Sequence, residues 1–279
     1  MSEGAILVTG ASTGIGNATA RRLAENNFTV FAGARKQHDA DQLHALHANI
    51  RPVIVDVTDA DSVAHAIDVV RQSEIPLRGL LNNAGIAVGG PLEYLGTEEL
   101  RRQFDVNVFG TMAVTRAAIP LLRQTRGRVV SIGSIGSRFG APFMGPYCSS
   151  KAALAMLMDS LRFELKPFGV DVVLFEFAAV KTPIWSKGRA LRHELEKRLP
   201  PQALEDYAPF VEMAVRQIDH EERVGLDPAF VANAIAGAFT TARPKARYVV
   251  GKQARMQAVV SMLPHRHRDS IVRKVLRLP

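Results

Sequence analysis

The sequence predicts an α/β protein built on a doubly wound parallel sheet of about seven strands, with helices on both faces. Short apolar runs rich in β-branched residues alternate with helix-length amphipathic segments along most of the chain. Alternation at this spacing implies right-handed strand–helix–strand crossovers, hence parallel strands covered on both sides. With 279 residues, 47% of them apolar and 22% charged, the chain can bury a sizeable core and is too apolar for intrinsic disorder. No internal repeat or low-complexity linker interrupts it, so residues 1–279 read as one domain.

The elements follow in order. A first strand at residues 5–9 feeds a helix over 14–25, and a second at 28–33 precedes a short helix over 40–47. The third strand, 51–55, leads to a helix over 59–72, and the fourth, 79–82, to a long helix over 97–124. The fifth, 128–132, is followed by a helix over 147–166, and the sixth spans 170–177. Residues 183–226 then turn helical and mixed in charge. They form an insertion at the carboxyl edge, where open α/β sheets bind ligands. Asp227-Pro228 supplies an N-cap and a first-turn proline for a helix through about Phe239, and a late strand is expected at 247–250. Residues 255–279 form a basic amphipathic tail.

Charge and composition exclude several function classes. The net charge is +8, yet from Thr241 onward ten Lys or Arg face Asp269 alone, which leaves residues 1–240 at −1. A nucleic-acid binder would carry its basic footprint on the folded body, so no nucleic-acid partner is expected. No apolar run reaches the ~18 residues of a membrane helix, since Asp171 and Glu176 interrupt the best stretch. The start lacks the basic region of a signal peptide, and the single cysteine, Cys148, fits a reducing compartment. A cytoplasmic protein is expected. His265 and His267 lack partners at ligand spacing, so no metal site is expected.

The chemistry-bearing motifs cluster at strand ends. The first strand ends in Thr9-Gly10-Ala11-Ser12-Thr13-Gly14-Ile15-Gly16, where a helix pattern begins. Gly10 allows a tight turn, Gly14 a close approach of backbone to a pyrophosphate, and Gly16 close helix–sheet packing. The helix N-terminus offers free N–H groups and its positive dipole end. The second strand ends in Ala34-Arg35-Lys36, where an NAD-selective site would place an acid for the ribose hydroxyls. A missing acid and two cations favour the 2′-phosphate of NADP(H), with NAD(H) still possible. Asp56, ending the third strand, either meets the adenine amino group or caps a turn. Asn82-Asn83-Ala84-Gly85 follows the fourth strand, and Asn107 lies within the long helix. Ser134 follows the fifth strand, thirteen residues before Tyr147, which with Lys151 forms an i, i+4 pair on one helix face.

Taken together and in this order, these residues resemble the short-chain dehydrogenase/reductase family in its compact Rossmann-type form, over about residues 4–183. The resemblance implies a catalytic triad of Ser134, Tyr147 and Lys151, with Asn107 completing a proton relay through water. It places Gly10, Ser12, Thr13, Gly14, Ile15 and Gly16 around the cofactor pyrophosphate. Arg35, Lys36, Asp56, Val57, Asn83, Ala84 and Gly85 fall on the adenosine side. Lys151 and Tyr147 meet the nicotinamide ribose, with Val180 and Thr182 beside the carboxamide. It also implies a homodimer or homotetramer formed through the long helices.

Physical chemistry supports these roles. Moving a tyrosine pKa from ~10 to ~7 takes roughly 4 kcal/mol of preferential phenolate stabilisation, which Lys151 and an oxidised nicotinamide are placed to supply. Ser134 is suited to orient a carbonyl, although Ser131 and Ser137 are rivals by position. One departure stands out: Phe177-Ala178 replaces the family's usual Pro-Gly after the sixth strand. An alanine disfavours the positive φ that glycine tolerates, so this segment is expected to take another path.

Phe143, Met144 and Trp185, with Ser134 and Tyr147, are expected to line a broad apolar pocket, joined by Phe139, Phe210 and Met213 or leaving some of these in the core. The implied substrate is a lipophilic carbonyl or alcohol such as a steroid, retinoid or long-chain alcohol. Cys148 is expected on the far side of its helix from Tyr147. The tail has three readings: packing on the body, packing on a second subunit, or peripheral contact with an anionic membrane. The preferred function is an NADP(H)-dependent oxidoreductase. The alternatives are a nucleotide-sensing or scaffold protein of the same fold, and, last, a sugar-nucleotide epimerase or dehydratase, whose glycine spacing differs.

Overall fold

A computed structural model describes residues 4–182, 193, 197, 199–276 and 278. Seven strands form one sheet: β1 (Ala5–Val8), β2 (Thr29–Ala34), β3 (Ile50–Ile54), β4 (Leu77–Asn82), β5 (Arg128–Ile132), β6 (Asp171–Phe177) and β7 (Arg247–Val250). Their order is β3-β2-β1-β4-β5-β6-β7, and every pairing is parallel. The chain winds outward from β1 to β3, returns beside β1 as β4, and winds the other way. A crevice therefore opens between the carboxyl ends of β1 and β4.

Two apolar layers sandwich the sheet. On one face α1 (Gly14–Glu25), α2 (Gln37–His44) and α9 (Pro228–Thr240) bury Leu23, Leu43, Val231 and Ile235 against Ile6, Val8 and Phe175. On the other, α3 (Ala60–Gln72), α5 (Thr111–Thr125) and α6 (Gly145–Leu165) bury Ile67, Leu122, Leu154 and Met158 against Leu7, Leu80 and Leu174. Burying such a side chain contributes roughly 1.5–3 kcal/mol. The strands alternate between the two layers with period 2, and because both faces are covered they read as continuous apolar runs.

Capping residues set the helix starts. Asp59 accepts hydrogen bonds from Asp61 N and Ser62 N before α3, and Asp227 accepts from Ala229 N before α9. The expected long helix over 97–124 is divided: α4 (Thr97–Phe104) passes through a π-helical turn, Asp105–Gly110, before α5. Gly110 sits here because a Cβ would lie 2.7 Å from Val57 Cγ2 and 2.8 Å from Val57 O. The insertion holds α7 (Pro201–Asp206) and α8 (Ala208–Val224), and the tail holds α10 (Lys252–Val260) and α11 (His265–Leu276). The tail's two helices differ: Ala254 of α10 is buried, whereas α11 buries none of its residues. No helix among the described residues is long and apolar enough to cross a membrane.

Candidate active site

The glycine loop crosses the crevice between β1 and β4. Gly10 and Gly14 adopt φ of +62° and +58°, the left-handed region that glycine alone enters freely. Gly16 is required by proximity: a Cβ there would lie 2.3 Å from Gly10 O and 2.4 Å from Asn83 Nδ2. Asn83 turns out to hold the loop in shape, its Nδ2 donating to Thr9 O (3.1 Å) and Gly10 O (2.8 Å). Thr9, which sequence reasoning passed over, ties the two strand ends together. Its Oγ1 accepts from Asn83 N and Ala84 N and donates to Leu81 O. Thr13 caps α1 without a side-chain hydrogen bond, so the first-turn amides stay open to an anion, with Ser12 half-buried and Thr13 exposed beside them. This cradle fits a dinucleotide pyrophosphate.

Arg35 and Lys36 are exposed beyond β2. Of the two readings of Asp56, the structure shows the turn cap: Oδ1 accepts from Thr58 N (2.9 Å) and Thr58 Oγ1 (2.7 Å). The Asp56 carboxyl lies below its ordinary value. Burial, the largest influence, pushes it up and is outweighed by the Thr58 hydrogen bonds and the nearby Arg35 charge. Val57 is buried against Gly110, while Ala84 and Ile15 are half-buried and Gly85 is exposed.

Of the three serines near the fifth strand, only Ser134 meets Tyr147. Ser131 is buried in the core, accepting from Asn82 Nδ2 and touching Met158 Sδ. Ser137 donates to Glu176. The Ser134 Oγ accepts from Gly136 N (3.1 Å) and lies close enough to Tyr147 to pull the phenol pKa down. In the protein alone the Tyr147 phenol is held above its ordinary value: burial raises it, more than the Ser134 contact lowers it. Lys151, one turn along α6, is buried, with Nζ donating to Ile132 O (2.7 Å) and lying 5.9 Å from the Tyr147 ring centre. Desolvation lowers its ammonium to about 8.

Asn107 is buried in the π-helical turn. Its Oδ1 accepts from Ile86 N (2.9 Å), and its Nδ2 donates to Ile86 O and Ser150 Oγ (both 3.1 Å). One lone pair of Oδ1 remains for a water. Gln103, one helical turn earlier, was not anticipated. Fully buried, it accepts from Val88 N and donates to Ile86 O and Ser150 Oγ, so both amides brace the segment after β4.

On the substrate side Phe143 is buried with φ of +64°, stacked on Phe210 (6.1 Å) and near Tyr207 (6.0 Å). It therefore joins the insertion to the site loop, in a cluster with Leu199, Ala203 and Val211. Met144 caps α6 and is half-buried, as is Phe139; Met213 is buried in α8, and Trp185 lies outside the described residues. The segment after β6 keeps Ala178 out of the left-handed region and pairs with the end of the insertion. Val180 bridges Leu226, and Lys181 N donates to Leu226 O. Thr182 is half-buried. A cavity of about 380 Å³ lies at this edge, lined by Ala178, Val224, Leu226 and Met256 with His220 and Lys252.

Cys148 departs from expectation. Its sulfur packs toward Gly136 in the Ser134 turn, where a glycine Cβ would come within 3.2 Å of Sγ and 3.3 Å of Ser134 Oγ. Because α6 starts only at Gly145, the preceding loop wraps its first turn and meets positions 147 and 148 alike.

A parallel sheet with a glycine cradle at its switch point and a Ser–Tyr–Lys set beside it defines a nucleotide-dependent oxidoreductase of the Rossmann class. The comparisons agree. The short chain dehydrogenase family model matches residues 4–192, and the chain belongs to that family of NAD(P)-dependent short-chain dehydrogenases/reductases. It is 34% identical over 280 residues to the NADPH-dependent 3-dehydrocapnine reductase of Ornithobacterium rhinotracheale, covering 97% of this chain and 96% of that protein. It is 33% identical to retinol dehydrogenase 5 of Mus musculus, covering 100% and 90%. Among solved structures, a short-chain dehydrogenase from Streptomyces avermitilis superimposes with a TM-score of 0.77 at 27% identity, covering 99% and 96%.

Proposed function

We propose that this chain, acting as one domain, is an NADP(H)-dependent oxidoreductase that interconverts a carbonyl with its primary or secondary alcohol on a bulky lipophilic molecule, Tyr147 serving as general acid/base. The observation that carries this reading is the placing of Ser134 beside Tyr147, one helical turn from the buried Lys151 cation. The bound nicotinamide supplies or accepts the hydride. In reduction, Tyr147 gives its hydroxyl proton to the carbonyl oxygen as negative charge builds there, while Ser134 donates a hydrogen bond to the same atom. Lys151, whose ammonium lies 5.9 Å from the Tyr147 ring centre, favours the phenolate by its charge and would hold the nicotinamide ribose. A water on the remaining Asn107 lone pair returns the proton. Val180 and Thr182 would hold the carboxamide, and Ser12, Thr13 and the glycines would hold the pyrophosphate.

Arg35 and Lys36 support NADP(H), as does the NADPH dependence in the name of the 3-dehydrocapnine reductase relative. Replacing Arg35 by Asp is expected to lower the NADPH/NADH preference about 10- to 100-fold, from loss of a charged hydrogen bond to the 2′-phosphate. Titration with both cofactors reads this directly, and unchanged selectivity would remove Arg35 from the reading. A lipophilic substrate is supported by the aromatic Phe143 wall and the retinol named for one relative. The turnover test is a panel of bulky ketones and aldehydes with NADPH, in which Tyr147→Phe is expected to lower kcat/KM by about 10²–10⁴-fold. One observation favours a second reading, a cofactor-binding sensor with weak turnover: the Ala178–Lys181 segment, which replaces Pro-Gly, is tied to Leu226. Cofactor binding with no turnover on any carbonyl would favour it.

A homo-oligomer is supported by Phe109, Met156 and Phe163, which leave large apolar surface open around α5 and α6, Phe163 being 71% exposed. Peripheral membrane contact is supported by the tail, where Met262 is 74% exposed among Arg255, Arg266, Arg268 and Lys274.

A further inference from the structure

Glu176, near the end of β6, is a carboxylate with no solvent exposure. Ser137 Oγ donates to its Oε1 at 3.0 Å, Arg138 grips both oxygens (Nε 3.2 Å, Nη2 2.6 Å), and Arg247 Nη1 lies 3.5 Å from Oε1. Ser137 and Arg138 close the turn that begins at Ser134, with Ser137 N donating to Ser134 O. Arg247, on β7, also pairs with Asp159 on α6, the helix that carries Tyr147 and Lys151. A continuous chain of charges thus runs from the Ser134 turn through Arg138, Glu176 and Arg247 to Asp159.

We propose that Glu176, Arg138 and Arg247 are positioning residues, a partly buried ion-pair chain centred on the fully buried Glu176 that locks the Ser134 turn to the Tyr147 helix and so fixes Ser134 beside Tyr147. The catalytic consequence rests on the oxidoreductase reading; the positional claim does not. A buried ion pair is a weak source of stability, because apolar residues of equal volume serve as well. What the planar, bidentate Arg138 fork adds is direction, which a compact ammonium does not reproduce. Direction matters here, since a displacement of about 1 Å between reacting groups costs on the order of 10²-fold in rate.

The chain has four tyrosines, Tyr94, Tyr147, Tyr207 and Tyr248, so the Tyr147 ring carbon bonded to oxygen can be followed by NMR in protein labelled at that carbon. Ser134→Ala defines the signal of a broken contact. Arg138→Lys keeps the charge and loses the fork; Arg138→Met with Glu176→Gln removes both charges and leaves no unpaired buried ion should a single variant fold poorly. Both are expected to move the Tyr147 resonance and its titration as Ser134→Ala does. Both are also expected to lower kcat at least about 10-fold, with the ketone KM and NADPH Kd within about 3-fold of wild type. A wild-type Tyr147 signal and kcat in both would overturn the proposal. Absence of wild-type turnover would count against the oxidoreductase reading alone, because the resonance still decides the positional claim.

Discussion

Lys151 shows how one residue serves two opposed demands. Its ammonium is buried with a single carbonyl partner, which drags its titration from 10.5 to about 8. Between those values the unfolded chain binds more protons than the folded one, so this residue's contribution to stability rises with pH from about 8 to 10.5. Below about 8 the buried charge costs roughly 3 kcal/mol, taking 1.36 kcal/mol per pKa unit. Lys151→Met is therefore expected to be more stable than wild type at pH 7 by up to that amount, and the gap is expected to shrink by pH 10. Denaturant midpoints at the two pH values check this; a gap that grows with pH would be the wrong sign. Tyr147, Ser134 and Lys151 were legible because their spacing survives in a linear chain. Gln103 and Glu176 were not: their partners Ser150 and Arg138 lie 47 and 38 residues away, and no periodicity marks a pairing across such distances.

Elements came through in proportion to how locally their signals are written. The capping Asp59 and Asp227 and the β-branched runs are local, and the sheet and most helices lie within a few residues of expectation. The π-helical turn at Asp105–Gly110 was not legible, because it depends on Val57 packing against Gly110 and on Asn107 gripping Ile86, contacts across the fold. The glycine loop combines both kinds of information. Its positive φ values are a property of the loop, whereas Gly16 is demanded by Gly10 O and Asn83. Gly16→Ala is accordingly expected to displace backbone and weaken NADPH binding at least about tenfold, a loss of roughly 1.4 kcal/mol, while Tm falls only modestly. Wild-type affinity in this variant would show that the loop accommodates a Cβ by another route.

The molecule as a whole divides its charge from its chemistry. The body carries almost no net charge and holds the site, while the tail concentrates the cations on two helices and their connecting turn, whose apolar side chains, Met256, Val259, Met262 and Val275, stay open. Sedimentation of the full chain and of a form ending at residue 260, each alone and with anionic vesicles, separates the possibilities. Membrane contact predicts vesicle binding that is lost with the tail and weakened by salt, and subunit contact through α5 and α6 predicts the same oligomer for both forms. Equal vesicle binding by the two forms would sink the membrane role of the tail. The insertion remains the part least readable from sequence. Its aromatic cluster with Phe143 joins residues more than 60 positions apart, and Trp185 lies outside the described residues.

The most direct test of the account follows the hydride itself. Purified protein is incubated with NADPH deuterated at the transferable position and a bulky lipophilic ketone, and the alcohol is weighed by mass spectrometry. A product one deuterium heavier, formed with NADPH in preference to NADH and reduced by about 10²–10⁴-fold in Tyr147→Phe, is the result expected. NADPH binding without deuterium in any alcohol product, or equal transfer by Tyr147→Phe, would contradict it.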